Sequence, residues 1–189
     1  MAVAKYHKPT GVYPSVFEVP YQELIDAGVV YFAFDVDNTL GDHNILELSK
    51  SVWRLFGNIY KAGGEPWLVS NNPLNRSKLR DGVIEVFHPR SHVHLLLMHK
   101  PSKKYYQKLL KKLGARPEQA VMIGDDYHRD VNGAIKAGMG GYLINPIGEP
   151  IWLDRRRRRR PKTAKKLKKL FGITWPIHAE SKSLTTTRP

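Results

Sequence analysis

Short apolar segments without internal alternation constrain the fold of this chain more than any other feature of its sequence. Because they lack the alternation of apolar and polar residues that marks a half-exposed strand, we expect each to form a strand buried on both faces. The five segments are VVYFAFD (29–35), PWLVSNN (66–72), HVHLLLM (92–98), AVMIGDD (120–126) and GYLIN (141–145). Segments with helical spacing lie between most of them, and for 74–91 we predict a short helix and a loop. The alternation predicts an α/β, Rossmann-like three-layer fold with a parallel sheet of about five strands.

The charge of the chain is concentrated at its C-terminal end. The 189 residues carry a net charge of +14, but residues 1–153 hold 18 Lys and Arg against 15 Asp and Glu. The remaining residues hold 13 Lys and Arg against 2 acids, and they include six consecutive arginines. We therefore predict one globular domain over 1–153 and a basic extension over 154–189, partly disordered or folded as an amphipathic helix.

The composition excludes several classes of site and partner. There is no cysteine, so a disulfide-linked partner, a thiolate-bound metal and a catalytic cysteine are all excluded. No stretch approaches the ~18 consecutive apolar residues that cross a bilayer, and the first residues lack the apolar run of a signal peptide. We expect a cytoplasmic protein, at most peripheral on a membrane.

Polar residues gather where the predicted strands end, which is where open parallel sheets place their functional groups. They are Asp35 and Asp37, then Ser70, Asn71 and Asn72, then Lys100, and finally Asp125, Asp126 and Asp130. Carboxylates crowded in a cleft of low dielectric repel one another unless a cation lies between them. A ligand set made of oxygen atoms favours Mg²⁺.

A metal-bound group of this kind suits phosphoryl transfer, most simply the hydrolysis of a phosphate ester. One carboxylate can attack phosphorus and form an acyl phosphate, and a second, two residues along the chain, can move the proton. Ser70, the nearby amides and Lys100 can hold the phosphoryl oxygens and offset their charge.

Four sequence motifs carry a resemblance to a known family. DVDNT (35–39), VSNN (69–72), KP (100–101) and GDDYHRD (124–130) occur in this order, each at or soon after a predicted strand end. Together they resemble the motifs of the haloacid dehalogenase (HAD) superfamily of phosphatases. The resemblance implies a Mg²⁺-dependent phosphoric monoester hydrolase with the HAD form of the α/β fold.

The resemblance also assigns roles to individual residues. It implies Asp35 as nucleophile, Asp37 as general acid and base, Ser70 and Lys100 as phosphate ligands, and Asp125 as a metal ligand together with Asp35. We add Asn71 to the phosphate ligands and Asp37 to the metal ligands. Residues expected to support the site or to lie in its outer shell are Thr39, Asn72, Asp126 and Asp130.

The spacing of the motifs bears on the substrate. The intervals from Asp37 to Ser70 and from Ser70 to Lys100 are too short for a separate cap domain. A capless site suits a large or surface-presented phosphate. The segment leading to the first motif resembles the capless, class III YqeG-like group, which includes phosphatidylglycerophosphate phosphatases, although Asp126 stands where that group often has Gln. Phosphatidylglycerophosphate is the leading substrate, and a nucleotide, a nucleic-acid end or a sugar phosphate is the alternative.

The basic extension leaves its partner open. TAKKLKKLFG places Ala164, Leu167, Leu170 and Phe171 on one helical face and lysines around the other, a pattern suited to an anionic membrane surface. The arginine run suits RNA through counterion release, which we rank lower, and a solvated extension without a partner is the third reading. From a different class, the chain could be a basic RNA- or ribosome-associated binding protein on a HAD scaffold.

Overall fold

A computed structural model of the chain describes residues 6–42, 47–71, 85–87, 99–147 and 155–177. These residues form a six-stranded sheet in the order β1-β6-β5-β2-β3-β4, and every neighbouring pair is parallel. The strands are β1 (Gly11–Tyr13), β2 (Tyr31–Phe34), β3 (Glu65–Val69), β4 (Glu85–Phe87), β5 (Ala120–Gly124) and β6 (Gly140–Ile144). The predicted α/β fold with a parallel sheet is confirmed.

Five α-helices accompany the strands within the described residues. They are α1 (Tyr21–Asp26), α2 (Lys50–Lys61), α3 (Lys103–Leu113), α4 (Asn132–Lys136) and α5 (Arg155–Phe171). Short 3-10 turns occupy Val16–Glu18 and Pro117–Gln119, and a π-helical turn occupies Tyr127–Val131. Helix α2 begins at the N-cap Ser49, whose hydroxyl accepts from the Val52 amide, and α3 ends at Gly114, whose φ of 66° suits glycine.

The central strands are apolar along their whole length because both faces of the sheet are covered. Alternate residues of β2 enter different clusters: Phe32 and Phe34 pack with α1 and α2, whereas Ala33 packs with α3. Strand β5 divides in the same way, with Val121 on the α2 side and Met122 on the α3 side. This arrangement explains the absence of alternation in the sequence, since neither face of these strands meets water.

Two short strands at the edges of the sheet differ from the predictions. Strand β1 pairs with β6 in a segment for which we predicted no strand, and β4 pairs with β3 where we predicted a short helix and a loop. Three-residue strands carry too few positions for a pattern to appear. The strand predicted over 92–98 lies outside the described residues.

The C-terminal extension is helical over Arg155–Phe171, and one side of it packs against the sheet. Leu167 is fully buried and joins a cluster with Tyr127, Val131 and Leu143, while Ala164 and Phe171 are partly buried against it. Leu170, predicted on the same apolar face, is 48% exposed. Among the helices that the structure describes, none has the length and apolar character to cross a bilayer.

Candidate active site

Three adjacent strands end at the same edge of the sheet, and a buried polar side chain directly follows each of them. Asp35 follows β2, Ser70 follows β3, and Asp125 follows β5. All three are buried, with exposed fractions of 6%, 1% and 2%. Because β2 lies between β5 and β3, these residues converge on one cleft, as the positions of the strand ends predicted.

The turn after β2 brings the first motif against the last. Asn38 adopts a φ of 60°, a left-handed conformation that Asn tolerates better than most residues, and its amide donates to the Gly41 carbonyl at 2.8 Å. Thr39 is fully buried; its hydroxyl accepts from the Asp125 amide at 3.2 Å and approaches Asp125 Oδ1 at 3.5 Å. Thr39 therefore lies where we predicted a supporting residue, between β2 and β5.

Lys100 lies at the centre of the buried charges. Its Nζ is 2.5 Å from Asp35 Oδ1, 2.7 Å from Asp130 Oδ1 and 3.1 Å from the Val69 carbonyl oxygen. Burial alone would lower the pKa of Lys100, but the carboxylates of Asp130 and Asp35 outweigh it and raise the pKa above its ordinary value. Lys100 is therefore a permanent cation at the bottom of the cleft.

Asn71 holds the backbone at Lys100. Its side-chain amide donates to the Lys100 carbonyl at 3.2 Å, and its Oδ1 accepts from the Lys100 amide at 2.8 Å. This two-way contact imitates the pairing of a strand with its neighbour. We predicted a phosphate contact for Asn71, and the structure places its side chain on the Lys100 backbone. Asn72 lies outside the described residues.

Asp130 enters the cleft over a glycine. Its Oδ2 accepts from the Asp126 amide at 3.1 Å, and a methyl group on Gly124 would lie 2.5 Å from that same oxygen. Glycine is therefore required at 124 so that the carboxylate can approach the backbone. Burial raises the pKa of Asp130 well above its ordinary value, although the nearby Lys100 opposes that shift.

Asp126 caps the π-helical turn. Its Oδ1 accepts from the amides of His128 and Arg129, both at 3.0 Å, and its Oδ2 lies 3.7 Å from Arg129 Nε. These contacts satisfy amides that the start of a helix leaves without partners. Asp126 thus caps the loop that carries Asp130, and its outer-shell role stays a prediction.

The carboxylates form a group that fits a divalent cation. One oxygen from each of Asp35, Asp125 and Asp130 lies within 4.8 Å of the other two. Asp37 is equally buried but does not belong to this group, whereas Asp130, predicted as a supporting acid, does. Among the described residues, four aspartates and one lysine are buried, an excess of negative charge that a small hard cation would balance.

Comparison with known proteins bears directly on this cleft. The HAD-hydrolase-like family matches residues 97–146, which contain Lys100, Asp125 and Asp130. Over these residues the chain is similar to the hydrolases of the haloacid dehalogenase superfamily. The match covers two of the four motifs by itself, and the structure brings the described residues of the other two, 35–39 and 69–71, to the same edge of the sheet.

Curated relatives resemble a limited part of this chain. Glyceraldehyde 3-phosphate phosphatase of Methanothermobacter thermautotrophicus is 37% identical over 46 residues, which are 24% of this chain and 20% of the relative. Haloacid dehalogenase-like hydrolase domain-containing protein 2 of Bos taurus is 49% identical over 45 residues, 24% of this chain and 17% of the relative. The chain thus spans about a fifth of the length of the curated relatives it matches.

A solved structure supports the fold over a larger share of the chain. An uncharacterized protein from Listeria monocytogenes serotype 4b aligns with a TM-score of 0.51 and 20% identity, over 75% of this chain and 100% of the other. At that identity the likeness concerns the fold alone, an α/β fold with a parallel sheet.

Two tyrosines beside the cleft were not among the predicted site residues. Tyr105 donates its hydroxyl to the Ser70 carbonyl at 3.3 Å, and Tyr106 donates to the carbonyls of Arg129 and Asp130 at 2.6 and 3.0 Å. Both rings also belong to the apolar face of α3. Their hydroxyl groups, five and six residues after Lys100, were the signal that could have suggested a second role.

Proposed function

We propose that the protein is a Mg²⁺-dependent phosphatase that hydrolyses a phosphate monoester through an aspartyl-phosphate on Asp35. The observation that carries the proposal is the placement of Asp35, with its Oδ1 2.5 Å from Lys100 Nζ and its carboxylate grouped with those of Asp125 and Asp130. Similarity to the HAD-hydrolase-like family over residues 97–146 and a relative named as a phosphatase support the same reaction class.

Two aspartates divide the proton and phosphoryl chemistry. In the first step a carboxylate oxygen of Asp35 attacks phosphorus, and the bond from phosphorus to the leaving alcohol breaks. Asp37, two residues further along, gives its proton to the leaving oxygen. In the second step a water attacks phosphorus, Asp37 takes the proton of that water, and the bond to Asp35 breaks to release phosphate.

The residues around Asp35 hold the phosphoryl group. We assign Ser70 and Lys100 as its direct ligands because both are buried, Ser70 directly after β3 and Lys100 against Asp35. Asn71 was predicted with them, and its contact with the Lys100 backbone supports a contribution through the position of Lys100. The positive charge of Lys100 opposes the repulsion between the Asp35 carboxylate and an incoming phosphate.

Mg²⁺ is the cofactor that suits this donor set. Asp35 and Asp125 are the assigned ligands, Asp37 was predicted as a third, and the position of Asp130 within the same group makes it a further candidate. When bound, Mg²⁺ would neutralise charge on the phosphoryl oxygens and on the carboxylates. These carboxyl groups are hard oxygen donors, and Mg²⁺ uses few of them at a time.

The substrate that we favour is a phosphate presented on something large, with phosphatidylglycerophosphate as the leading candidate. The short intervals between motifs leave no room for a cap, and within the described residues the interval from Asp37 to Ser70 holds α2 as its helix. The YqeG-like resemblance supports the same choice. The alternative is a small phosphate, since one relative is named for glyceraldehyde 3-phosphate.

The basic helix α5 supports an anionic membrane surface as partner. Lys162, Lys165, Lys168 and Lys169 are exposed, whereas Leu167 is buried against the protein itself. Contact with a membrane would therefore be largely electrostatic, since much of the apolar face is already covered. RNA is the weaker alternative for the same lysines.

The test is the release of inorganic phosphate from an aryl phosphate by the purified chain, with and without Mg²⁺. We expect Mg²⁺-dependent release that the Asp35→Asn variant lowers by at least about a thousandfold, because an amide cannot act as the nucleophile. A panel of lipid, nucleotide and sugar phosphates then ranks the substrates. No release from any member of the panel, with Mg²⁺ bound, would favour the binding-protein reading.

A further inference from the structure

The C-terminal segment 161–177 packs against the loop that carries two acids of the candidate site. We propose that this segment is a positioning element for the loop 126–131, so that the metal site depends on a part of the chain beyond the four motifs. The inference rests on the proposed function, because it concerns the geometry of the same carboxylates.

The first contact is apolar. Leu167 of α5 is fully buried and Trp175 is 4% exposed, and both pack in one cluster with Tyr127 and Val131 of the π-helical turn. Leu143 of β6 closes the cluster from the sheet. The side of the turn that faces away from the cleft is therefore covered by the C-terminal segment.

The second contact passes through the N-terminal strand region. Lys166 Nζ donates to the Tyr6 hydroxyl at 2.5 Å and lies 3.8 Å from the centre of the Tyr6 ring, which meets the His128 ring edge to face. The next residue, His7, accepts from the Tyr127 hydroxyl at 2.8 Å through its carbonyl oxygen. The N-terminal residues Tyr6 and His7 and helix α5 thus meet beside this turn.

The far end of the segment is fixed to the sheet. Trp175 Nε1 donates to the Ile144 carbonyl at 3.1 Å, and Asn145 exchanges two hydrogen bonds with the backbone of Ile177, at 2.6 and 2.8 Å. These contacts lie just after β6, the neighbour of β5, at the edge of the sheet where Asp125 begins the last motif. The segment is therefore held at both ends of its contact with the turn.

The opposite side of the same turn faces the cleft. Asp130 lies between Tyr127 and Val131 in the sequence. Those two side chains belong to the outer cluster, whereas the Asp130 carboxylate points the other way and lies 2.7 Å from Lys100 Nζ. A π-helical turn is uncommon and depends on its surroundings for its shape. Because packed side chains transmit small displacements, loosening the outer cluster should move Asp130 and, through the Asp126 amide, the start of the turn.

The experiment compares two leucines of the same helix in the full-length chain. Leu167→Ala removes a buried contact with the turn, and Leu170→Ala removes an equal side chain that is 48% exposed. We expect Leu167→Ala to weaken Mg²⁺ binding, measured by calorimetry, by about tenfold or more, as loss of outer-shell support does. Hydrogen exchange at the amides of 126–131 should rise in parallel, and Leu170→Ala should stay within about twofold of the wild type in both.

A milder pair guards against a variant that fails to fold. Lys166→Met removes the contact with Tyr6, whereas Lys165→Met changes an exposed neighbour. We expect faster exchange at 126–131 in Lys166→Met, by about threefold, and no change in Lys165→Met. Leu167→Met, which restores apolar volume, should recover Mg²⁺ affinity.

Unchanged Mg²⁺ affinity and loop exchange in Leu167→Ala, with lower thermal stability, would overturn the proposal and reduce the segment to a stabilising cover. Equal effects of Leu167→Ala and Leu170→Ala would overturn it as well. Mg²⁺ affinity and hydrogen exchange do not depend on turnover. If Leu167→Ala changes both while neither the wild type nor any variant releases phosphate, this inference stands and the proposed function fails.

Discussion

Lys100 contacts the Asp35 and Asp130 carboxylates together, and the balance of charge in the cleft depends on it. Its side chain is 2% exposed, and the two acids that it contacts are 8% and 1% exposed. Removing one partner from a buried ion pair leaves the other charge without compensation, which costs more than the pair contributes. Lys100 should therefore matter to stability as well as to phosphate binding.

We predict that Lys100→Met lowers the free energy of unfolding by about 3–5 kcal/mol without divalent metal. Without the lysine, the pKa of the Asp130 carboxyl, already raised by burial, rises further. A carboxyl whose pKa is higher in the folded than in the unfolded state destabilises the protein as pH rises between the two values. Urea unfolding should thus show a larger deficit at pH 8 than at pH 5.

The control is Lys104→Met on the exposed side of α3, which should change the free energy of unfolding by less than about 0.5 kcal/mol. Saturating Mg²⁺ should recover part of the loss in Lys100→Met, because a cation would again face the carboxylates. Equal deficits in the two variants, or a deficit that is greater at pH 5, would contradict this account of the charges.

Residues at the strand ends were predictable from the sequence because their position follows from the sheet. Asp35, Ser70 and Asp125 meet wherever three parallel strands end side by side, so a strand assignment is enough to bring them together. Asn71 was different. Its contact with the Lys100 backbone joins residues 29 apart in sequence, and no local pattern distinguishes an amide that binds a phosphate from one that binds a peptide group.

At the scale of elements, the loop between β5 and α4 determines where the last motif points. At the start of this loop Asp126 accepts hydrogen bonds from two backbone amides, and further along the loop the Asp130 carboxylate packs against Gly124. Consecutive acids at 125 and 126 thus have different surroundings, since Asp125 belongs to the carboxylate group and Asp126 caps the turn. A substitution that keeps the cap and removes the charge separates the two roles.

We predict that Asp126→Asn keeps Mg²⁺ affinity within about twofold, because the amide oxygen retains the capping contacts at the loop. Asp126→Ala should lose the cap and lower the free energy of unfolding by about 1 kcal/mol. Calorimetric titration with Mg²⁺ and urea unfolding provide the two measurements. A tenfold or greater loss of affinity in Asp126→Asn would instead identify Asp126 as a metal ligand.

The surface against which α5 packs could not be predicted from the sequence of that helix. An amphipathic pattern predicts a helix with one apolar face, but the same pattern results whether that face meets a membrane or the domain itself. Leu167 meets Tyr127 and Val131, which are some 40 residues earlier in the chain. That choice depends on the uncovered surface of the folded domain, which the sequence of the helix does not contain.

In the molecule as a whole, exposed lysines lie on two helices, α3 and α5, that both contact the last motif loop. Helix α3 reaches the loop through Tyr106, and α5 reaches it through Leu167. Each helix carries at least four exposed lysines and no acid. The exposed lysines alone would make the two helices similar toward an anionic surface, whereas our proposal assigns that contact to α5, which also contains the six arginines 155–160.

We predict that replacing Lys162, Lys165, Lys168 and Lys169 by Gln lowers binding to vesicles of phosphatidylglycerol and phosphatidylcholine by at least about tenfold, because each lysine near a surface adds attraction. The matched control replaces Lys103, Lys104, Lys108 and Lys111 of α3, and we expect about twofold loss or less. Cosedimentation at fixed salt measures both. Equal loss of vesicle binding in the two variants would contradict a membrane contact through α5. Tighter binding of the wild type to single-stranded RNA than to vesicles would contradict it as well.

Covalent catalysis by Asp35 can be tested by trapping the phosphorylated intermediate. The Asp37→Asn variant, which cannot take the proton from water, should accumulate the phosphorylated form after mixing with an aryl phosphate and Mg²⁺. We predict that acid quench and peptide mass spectrometry find one phosphoryl group on the peptide that contains Asp35, and none when Asp35→Asn is added. Turnover by the wild type with no phosphorylated peptide in either variant, or undiminished turnover by Asp35→Asn, would contradict it.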